Sequence, residues 1–277
     1  MALSVVDLYS RVLPRTNCGD CGYPTCIAFA SMVVSKKLPL SLCPHLSADT
    51  LARYQPELDD QHAAGKWTER DLAADALAWA RERAASMDLA DMPARIGGEL
   101  TDTSDGPVLV LPYFNEVIHV RHGGIRRTDG SQLGRWEQVF IFNHMAQGGS
   151  IAPTGQWKSL QEIPNTVSKI KSMRAHVEVP LREHFGGRQA ELAAAALCMG
   201  GTDVTAVTES ADLAFRFQPL PQVPVLLMYW EGDRDGGFDA EIKLAFDETI
   251  TAHLDIESIL FLSEHLAQSL IAAKSPQ

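Results

Sequence analysis

The residues with the clearest chemistry lie near the start of the chain, in Cys18-Gly19-Asp20-Cys21-Gly22-Tyr23-Pro24-Thr25-Cys26, followed by Cys43-Pro44. Four of the chain's 5 cysteines fall here, spaced C-x2-C-x4-C-x16-C. Thiolates are soft ligands, and four of them suit zinc or an iron–sulfur cluster. Zinc's usual four-thiolate sites pair two C-x2-C knuckles across a spacer. Here one close pair is followed by a third cysteine on the same loop and by a solitary Cys-Pro. Three thiolates along one loop can each hold a different iron of a cubane, with a remote fourth closing it. The pattern favours iron–sulfur, with structural zinc and a reactive or disulfide-forming set as alternatives. Gly19 and Gly22 let backbone N–H groups turn toward an anionic centre and tune it through hydrogen bonds to sulfur.

These thiols need a short, well-anchored frame. Residues 3–13 read as a helix capped by Ser4 and stopped by Pro14. Thr25 is placed to cap a second helix from Cys26 to about Lys37, with Ile27, Phe29 and Ala30 as its apolar wall. Residues 38–46 read as a loop carrying Cys43, and 47–65 as a polar connection with one short helix. Thr68 and Asp71 suggest a capping box for a helix running to about Met87, with Leu72, Ala76, Trp79, Ala80, Arg83 and Met87 on one stripe.

Beyond Pro93 the pattern changes. Residues 93–106 read as a boundary or long turn. Val108–Leu111 and Val117–Val120 read as paired strands, and helices are expected over about 132–147, 165–185 and 188–199. Short β-rich runs follow at Val204–Thr208, Ala211–Phe217, Val223–Trp230 and Phe238–Phe246, with 233–237 as a hairpin loop. An amphipathic helix over 256–273 closes the chain. The expected class is α+β: a small helical iron–sulfur module joined to a mixed domain with an antiparallel sheet and flanking helices. The expected division is a cluster module over 1–48, a helical linker over 49–92 and an α+β domain over 93–277.

The rest of the chain offers less chemistry. His119 and His122 read as a polar strand end, and Arg121, Arg126 and Arg127 beside Gly123 and Gly124 as a weaker candidate for an anion site. Asp233, Asp235, Asp239 and Glu241 resemble a calcium loop only superficially, because the glycine and terminal glutamate are out of register. Cys198 reads as buried packing, and Trp157 with the Pro219–Pro224 run as fold-defining corners. No phosphate loop, dinucleotide fingerprint or nucleophile elbow is present, so no catalytic residue is assigned.

Over 277 residues the chain is 45% hydrophobic and 21% charged, enough apolar material for a real core. Its net charge of −11 argues against non-specific nucleic-acid binding and anionic membranes. No apolar run reaches the length of a membrane span. The N-terminus lacks the pattern of a signal peptide, so a cytoplasmic protein with reduced thiols is expected.

Leu13-Pro14, Thr16-Asn17-Cys18-Gly19, Cys21-Gly22, Pro24-Thr25-Cys26 and Ala28-Phe29-Ala30, with Cys43-Pro44, together resemble a small four-iron module. It is the module of the corrinoid iron–sulfur protein large subunit (acetyl-CoA decarbonylase/synthase gamma subunit), and a related one occurs in the B subunit of Rnf electron-transport complexes. The resemblance covers about residues 3–48 and implies a [4Fe-4S] cluster on Cys18, Cys21, Cys26 and Cys43, in a setting of anaerobic metabolism. It does not extend to the barrel and corrinoid domain of the one family or to the added ferredoxin cysteines of the other. Residues from about 105 to 272 resemble an uncharacterised domain often fused to this module. The resemblance there is carried by Gly155–Leu160 with Glu162-Ile163-Pro164, by Pro219–Pro224, and by Leu244–Asp247.

Three functions follow in order of expectation. The first is single-electron transfer with a redox partner protein or a low-potential cofactor, a corrinoid being the second cofactor the resemblance suggests. The second is a redox enzyme with a substrate or cofactor pocket within 105–272. The third is an interaction protein with a purely structural cluster.

Overall fold

The computed structural model describes residues 3–65, 72–208, 211–233 and 237–273. They belong to two compact units, one ending at Leu72 and the other beginning at Ala73. The expected capping box at Thr68 and Asp71 lies outside the described residues, as does part of the 233–237 hairpin loop.

In the first unit, α1 (Val5–Asp7) starts at Ser4, whose hydroxyl accepts the Asp7 N–H while the Asp7 carboxylate accepts the Ser4 N–H. It continues as a π-helical turn, Leu8–Val12, and stops ahead of Pro14. α2 (Cys26–Lys36) starts at Thr25, as its sequence predicts, and a short 3-10 turn, Leu40–Leu42, precedes Cys43. α3 (Ala48–Ala63) is a 16-residue helix that runs through Pro56, so the expected short helix is corrected to a long one. Proline removes one helical hydrogen bond and is ordinarily a breaker. Tertiary anchoring outweighs it here: Leu58 is fully buried, and the Gln61 amide bonds both the N–H and the carbonyl of Leu3, at 2.7 and 3.0 Å. Leu8, Phe29, Ala30, Val33 and Leu40 join Leu58 in the core of this unit.

From Ala73 on, α4 (Leu72–Ala85) belongs to the second unit, as does α5 (Met92–Ile96), so the stretch expected to be a linker is shared between two units. Ala80, Ala84, Met92 and Ile96 are buried in the main core, whereas Trp79, placed by its sequence on the packing stripe, is 57% exposed. Among the described residues this unit has two antiparallel sheets. The first, in the order β1-β2-β3-β4, comprises Glu99–Thr103, Gly106–Tyr113, Glu116–Arg121 and Gly124–Arg127. Its edge strand β1 is almost wholly solvent-facing and carries no apolar alternation, which is why 93–106 reads as a turn.

α6 (Arg135–Gln147) follows. β5 (Trp157–Ser159) then leads to α7 (Val167–Met173), a π-helical turn (Arg174–Glu178) and α8 (Val179–Phe185), which together form the helical stretch expected over 165–185. The Val179 N–H reaches back to Arg174, and Pro180 is accommodated near the start of α8. After α9 (Gln189–Cys198) come β6 (Thr202–Asp203), β7 (Leu213–Leu220), β8 (Val223–Trp230) and β9 (Glu241–Asp247), then α10 (Ile250–His253) and α11 (Ile256–Ala272). The second sheet has the order β5-β9-β8-β7-β6. Val204–Thr208, expected as a strand, is largely a 3-10 turn, because the Thr205 hydroxyl takes the Ala214 N–H that a longer β6 would have used. Phe140, Phe142, Phe215, Phe217 and Phe246 fill the core among the sheets and helices. The architecture is α+β, as expected. No helix among the described residues is long and apolar enough to cross a membrane.

Candidate metal centre

The loop before α2 is held by hydrogen bonds of its own. Asn17, in the left-handed region at φ 50°, turns its side-chain oxygen to accept the Cys26 N–H at 2.9 Å, which pins the loop's start to the helix. The Gly22 N–H donates to the Gly19 carbonyl at 2.8 Å and closes a tight turn between Cys18 and Cys26. Both glycines have φ near +84°, and nothing lies within 4 Å of where a Cβ would stand. Backbone conformation, not space, therefore requires glycine there. On the far side, the Cys43 N–H donates to Leu40, and the Leu40 N–H donates to the Gln55 side chain of α3 at 2.8 Å. The two cysteine-bearing segments are joined by His45, whose Nε2 lies 2.6 Å from the Asp20 carboxylate.

The four thiols are free and graded in depth. Cys26 and Cys43 are buried at 6% and 5% exposure, Cys21 is half-buried and Cys18 is exposed. Burial pushes the Cys43 thiol up, the His45 N–H directed at its sulfur pulls it down, and Cys21, Cys26 and Cys18 push it up again. The structure thus brings all four sequence-predicted cysteines within electrostatic reach of one another. Phe29, with Tyr23 packed 5.9 Å from its ring, shields the buried side. Cys26 opens α2, where the helix dipole favours negative charge. An iron–sulfur core fits this donor set: soft ligands that repel one another as thiolates, a backbone N–H at one sulfur, and a dry wall on one side only.

The Asp20–His45 pair escapes sequence reasoning. Cys18, Asp20 and His45 place one ligand atom each within 4.8 Å of one another, all on the exposed rim. The imidazole, and after it the Cys18 thiol, holds the Asp20 carboxyl below its usual range. The only signal in the sequence is that each polar residue stands next to a cysteine motif.

Elsewhere the candidate residues have structural duties. Arg121 donates to Asp105, Gly106 and Thr103, and Arg126 to Gly130. Arg127 pairs with Glu116 and Glu137 at 3.0 and 3.1 Å. Of the three, Arg127 is ion-paired within the first sheet, whereas Arg121 and Arg126 donate to neutral groups. Cys198 is exposed at the end of α9, not buried as expected, and Trp157 is half-buried at a sheet edge. Two histidines that the sequence does not single out are buried together. His144 donates from Nδ1 to the His253 carbonyl at 3.0 Å, and burial lowers its pKa to about 4. Glu137 gathers Tyr113, Arg127 and the Gly134 N–H. These contacts lock the start of α6 to the first sheet.

Comparison with known proteins separates the same two regions. The family model described as "Putative Fe-S cluster" matches residues 13–45, and that described as "Domain of unknown function (DUF3786)" matches residues 88–269. The acetyl-CoA decarbonylase/synthase complex subunit gamma of Methanothermobacter thermautotrophicus is 45% identical over 49 residues, 18% of this chain and 10% of that protein. The corrinoid/iron-sulfur protein large subunit of Moorella thermoacetica is 47% identical over 47 residues, 17% of this chain and 10% of that protein. The subunit gamma of Methanocaldococcus jannaschii is 44% identical over 45 residues, 16% and 9%. The chain thus spans about a tenth of the length of the curated relatives it matches. No solved structure matches.

Proposed function

The chain belongs to the family described as Domain of unknown function (DUF3786) and is an iron–sulfur protein, and from that premise we propose that it passes single electrons through one [4Fe-4S] cluster. Cys18, Cys21, Cys26 and Cys43 are the ligands in this reading. When bound, the cluster supplies a reversible one-electron couple.

The chain's own residues perform the remaining tasks. Cys26 and Cys43 hold the centre against the apolar wall of α2, which excludes water and keeps the sulfurs from oxidation. The His45 N–H at the Cys43 sulfur stabilises negative charge and tunes the couple. Cys18 and Gly19 form an exposed rim where a donor or acceptor can approach. That grading, from two buried thiols to one exposed thiol, is the observation that carries the proposal. A cluster that only braces the fold gains nothing from an open edge.

The electron's destination is a redox partner protein or a low-potential cofactor such as a corrinoid. The names of the relatives support this reading, and a cytoplasmic setting suits the reduced thiols. Protein purified without oxygen should show a broad absorbance shoulder near ~400 nm and about four irons per chain. One zinc and no iron would remove the proposal.

A further inference from the structure

The face of the five-stranded sheet turned away from the main core carries a second apolar cluster of its own. Successive residues of a strand point to opposite faces. On β7, β8 and β9, Phe215, Phe217, Leu227, Tyr229, Leu244 and Phe246 enter the main core. The opposite face of an antiparallel sheet, when it meets water, is ordinarily polar. Here Ala214, Leu226 and Ala245 form a separate apolar cluster, with Trp157, Val204 and Met228 against it. Leu226 stands between Arg216 and Ala245 in register, and Met228 is paired with Ala214. Leu226, Met228 and Trp157 line a depression on this face.

Two walls turn this face into a cavity of about 640 Å³, within the usual range for small-molecule sites. One wall is 204–208, fixed by the Val204 N–H on the Ala214 carbonyl at 3.0 Å and by the Thr205 hydroxyl on the Ala214 N–H at 2.9 Å. The other is 153–157. Asp247 fastens it by accepting the Thr154 and Gly155 N–H groups at 3.2 and 2.7 Å, while also accepting the N–H and hydroxyl of Thr249. Those four donors occupy the Asp247 carboxylate, so it serves the wall.

Arg216 stands differently at the rim. It is exposed, its guanidinium donates to the neutral Gln218 side chain at 3.1 Å, and among the described residues no carboxylate forms an ion pair with it. It lies two strands from Asp247, roughly 10 Å across the sheet. The other large cavities lack such a group. In one, Arg182 and Lys243 already face Asp239, Glu178 and Glu241. The other, between Trp79, Trp136 and Phe261, has no arginine or lysine in its lining among the described residues.

We propose that the cavity on the outer face of this sheet binds a small organic acid, its apolar body on Leu226, Met228 and Trp157 and its anionic group on Arg216. A guanidinium with no acidic partner beside a dry floor favours a carboxylate or sulfonate over a neutral ligand. The body must be compact, because the walls at Val204 and Pro153 bound it on both sides.

The test uses two probes that share one apolar body: 8-anilinonaphthalene-1-sulfonate, and N-phenyl-1-naphthylamine, which lacks the sulfonate. Fluorescence titration of the full chain should give one saturable sulfonate site per chain. Arg216→Gln should weaken it at least about tenfold, the loss of one charge-assisted contact, and leave the neutral probe unchanged. Met228→Trp, which puts a larger side chain on the cavity lining, should weaken both probes, and Trp136→Ala should affect neither. Arg216 is exposed, so its variant tests the proposal even where Met228→Trp fails to fold. The proposal falls if there is no saturable binding, if Arg216→Gln leaves sulfonate affinity intact, or if binding is lost in Trp136→Ala instead. A solution dimer that Leu226→Asp dissociates, with no probe bound, would assign the face to a second copy and overturn it as well.

Discussion

The two units of this protein show their chemistry at different scales. In the first, four thiols, two left-handed glycines and an asparagine lie within about 30 residues, so the candidate ligands stand out in the linear chain. In the second, polar residues that look reactive in the sequence are engaged by their neighbours: Arg127 by two glutamates, Asp247 by two segments of backbone, His144 by a carbonyl. A metal-type centre needs a dense set of soft donors, and density survives in a linear sequence. A cavity on a sheet needs register, and register appears only when the strands pair.

The contrast can be broken most sharply at Cys43. Cys43→Ala should strip the iron almost completely, whereas Cys198→Ala should leave the iron and sulfide content at the wild-type level. Equal loss from both would show that the fourth ligand is misassigned. The next effect belongs to the second unit. Phe246→Ala removes a fully buried ring and should lower stability by about 3–5 kcal/mol in denaturant unfolding, while iron content per folded chain stays the same.

Titration gives a smaller effect with a definite sign. The native His144 pKa, about 4, lies below the ordinary 6.5, so the native state binds fewer protons than the unfolded chain. The stability it contributes is present above pH 6.5 and is lost as pH falls toward 4. Between pH 7 and 5 the second unit should lose about 2 kcal/mol through this group. His144→Asn, which keeps a donor near the Nδ1 position, should flatten that dependence, and an unchanged slope would assign it elsewhere. Thr25→Ala removes the cap of α2 and should cost about 1 kcal/mol in the first unit, seen as faster cluster loss on mild warming. An identical rate of loss would show that the loop is held by Asn17 alone.

What could be read in the sequence follows the same division. The caps at Ser4 and Thr25 and the helix from Cys26 are local, and the structure has them where short-range rules place them. Misreadings occur where tertiary contacts override local signals. The polar 47–65 stretch suggests only a short helix, but Gln61 and Leu58 hold α3 as one long helix. β1 is too polar to announce itself and exists because β2 pairs with it along its whole length. Trp79 and Cys198 have the residue types of a core and lie at the surface. The Asp20–His45 contact spans 25 residues, and the apolar outer sheet face combines residues from β5, β7, β8 and β9. Neither has a period or spacing to find in advance.

The most direct test of single-electron chemistry is a spectroelectrochemical redox titration of protein purified without oxygen, with iron, sulfide and zinc measured on the same sample. The account predicts about four irons and a reversible wave that fits one electron per chain. Zinc in place of iron, or an iron centre that cannot be cycled at any accessible potential, would contradict it.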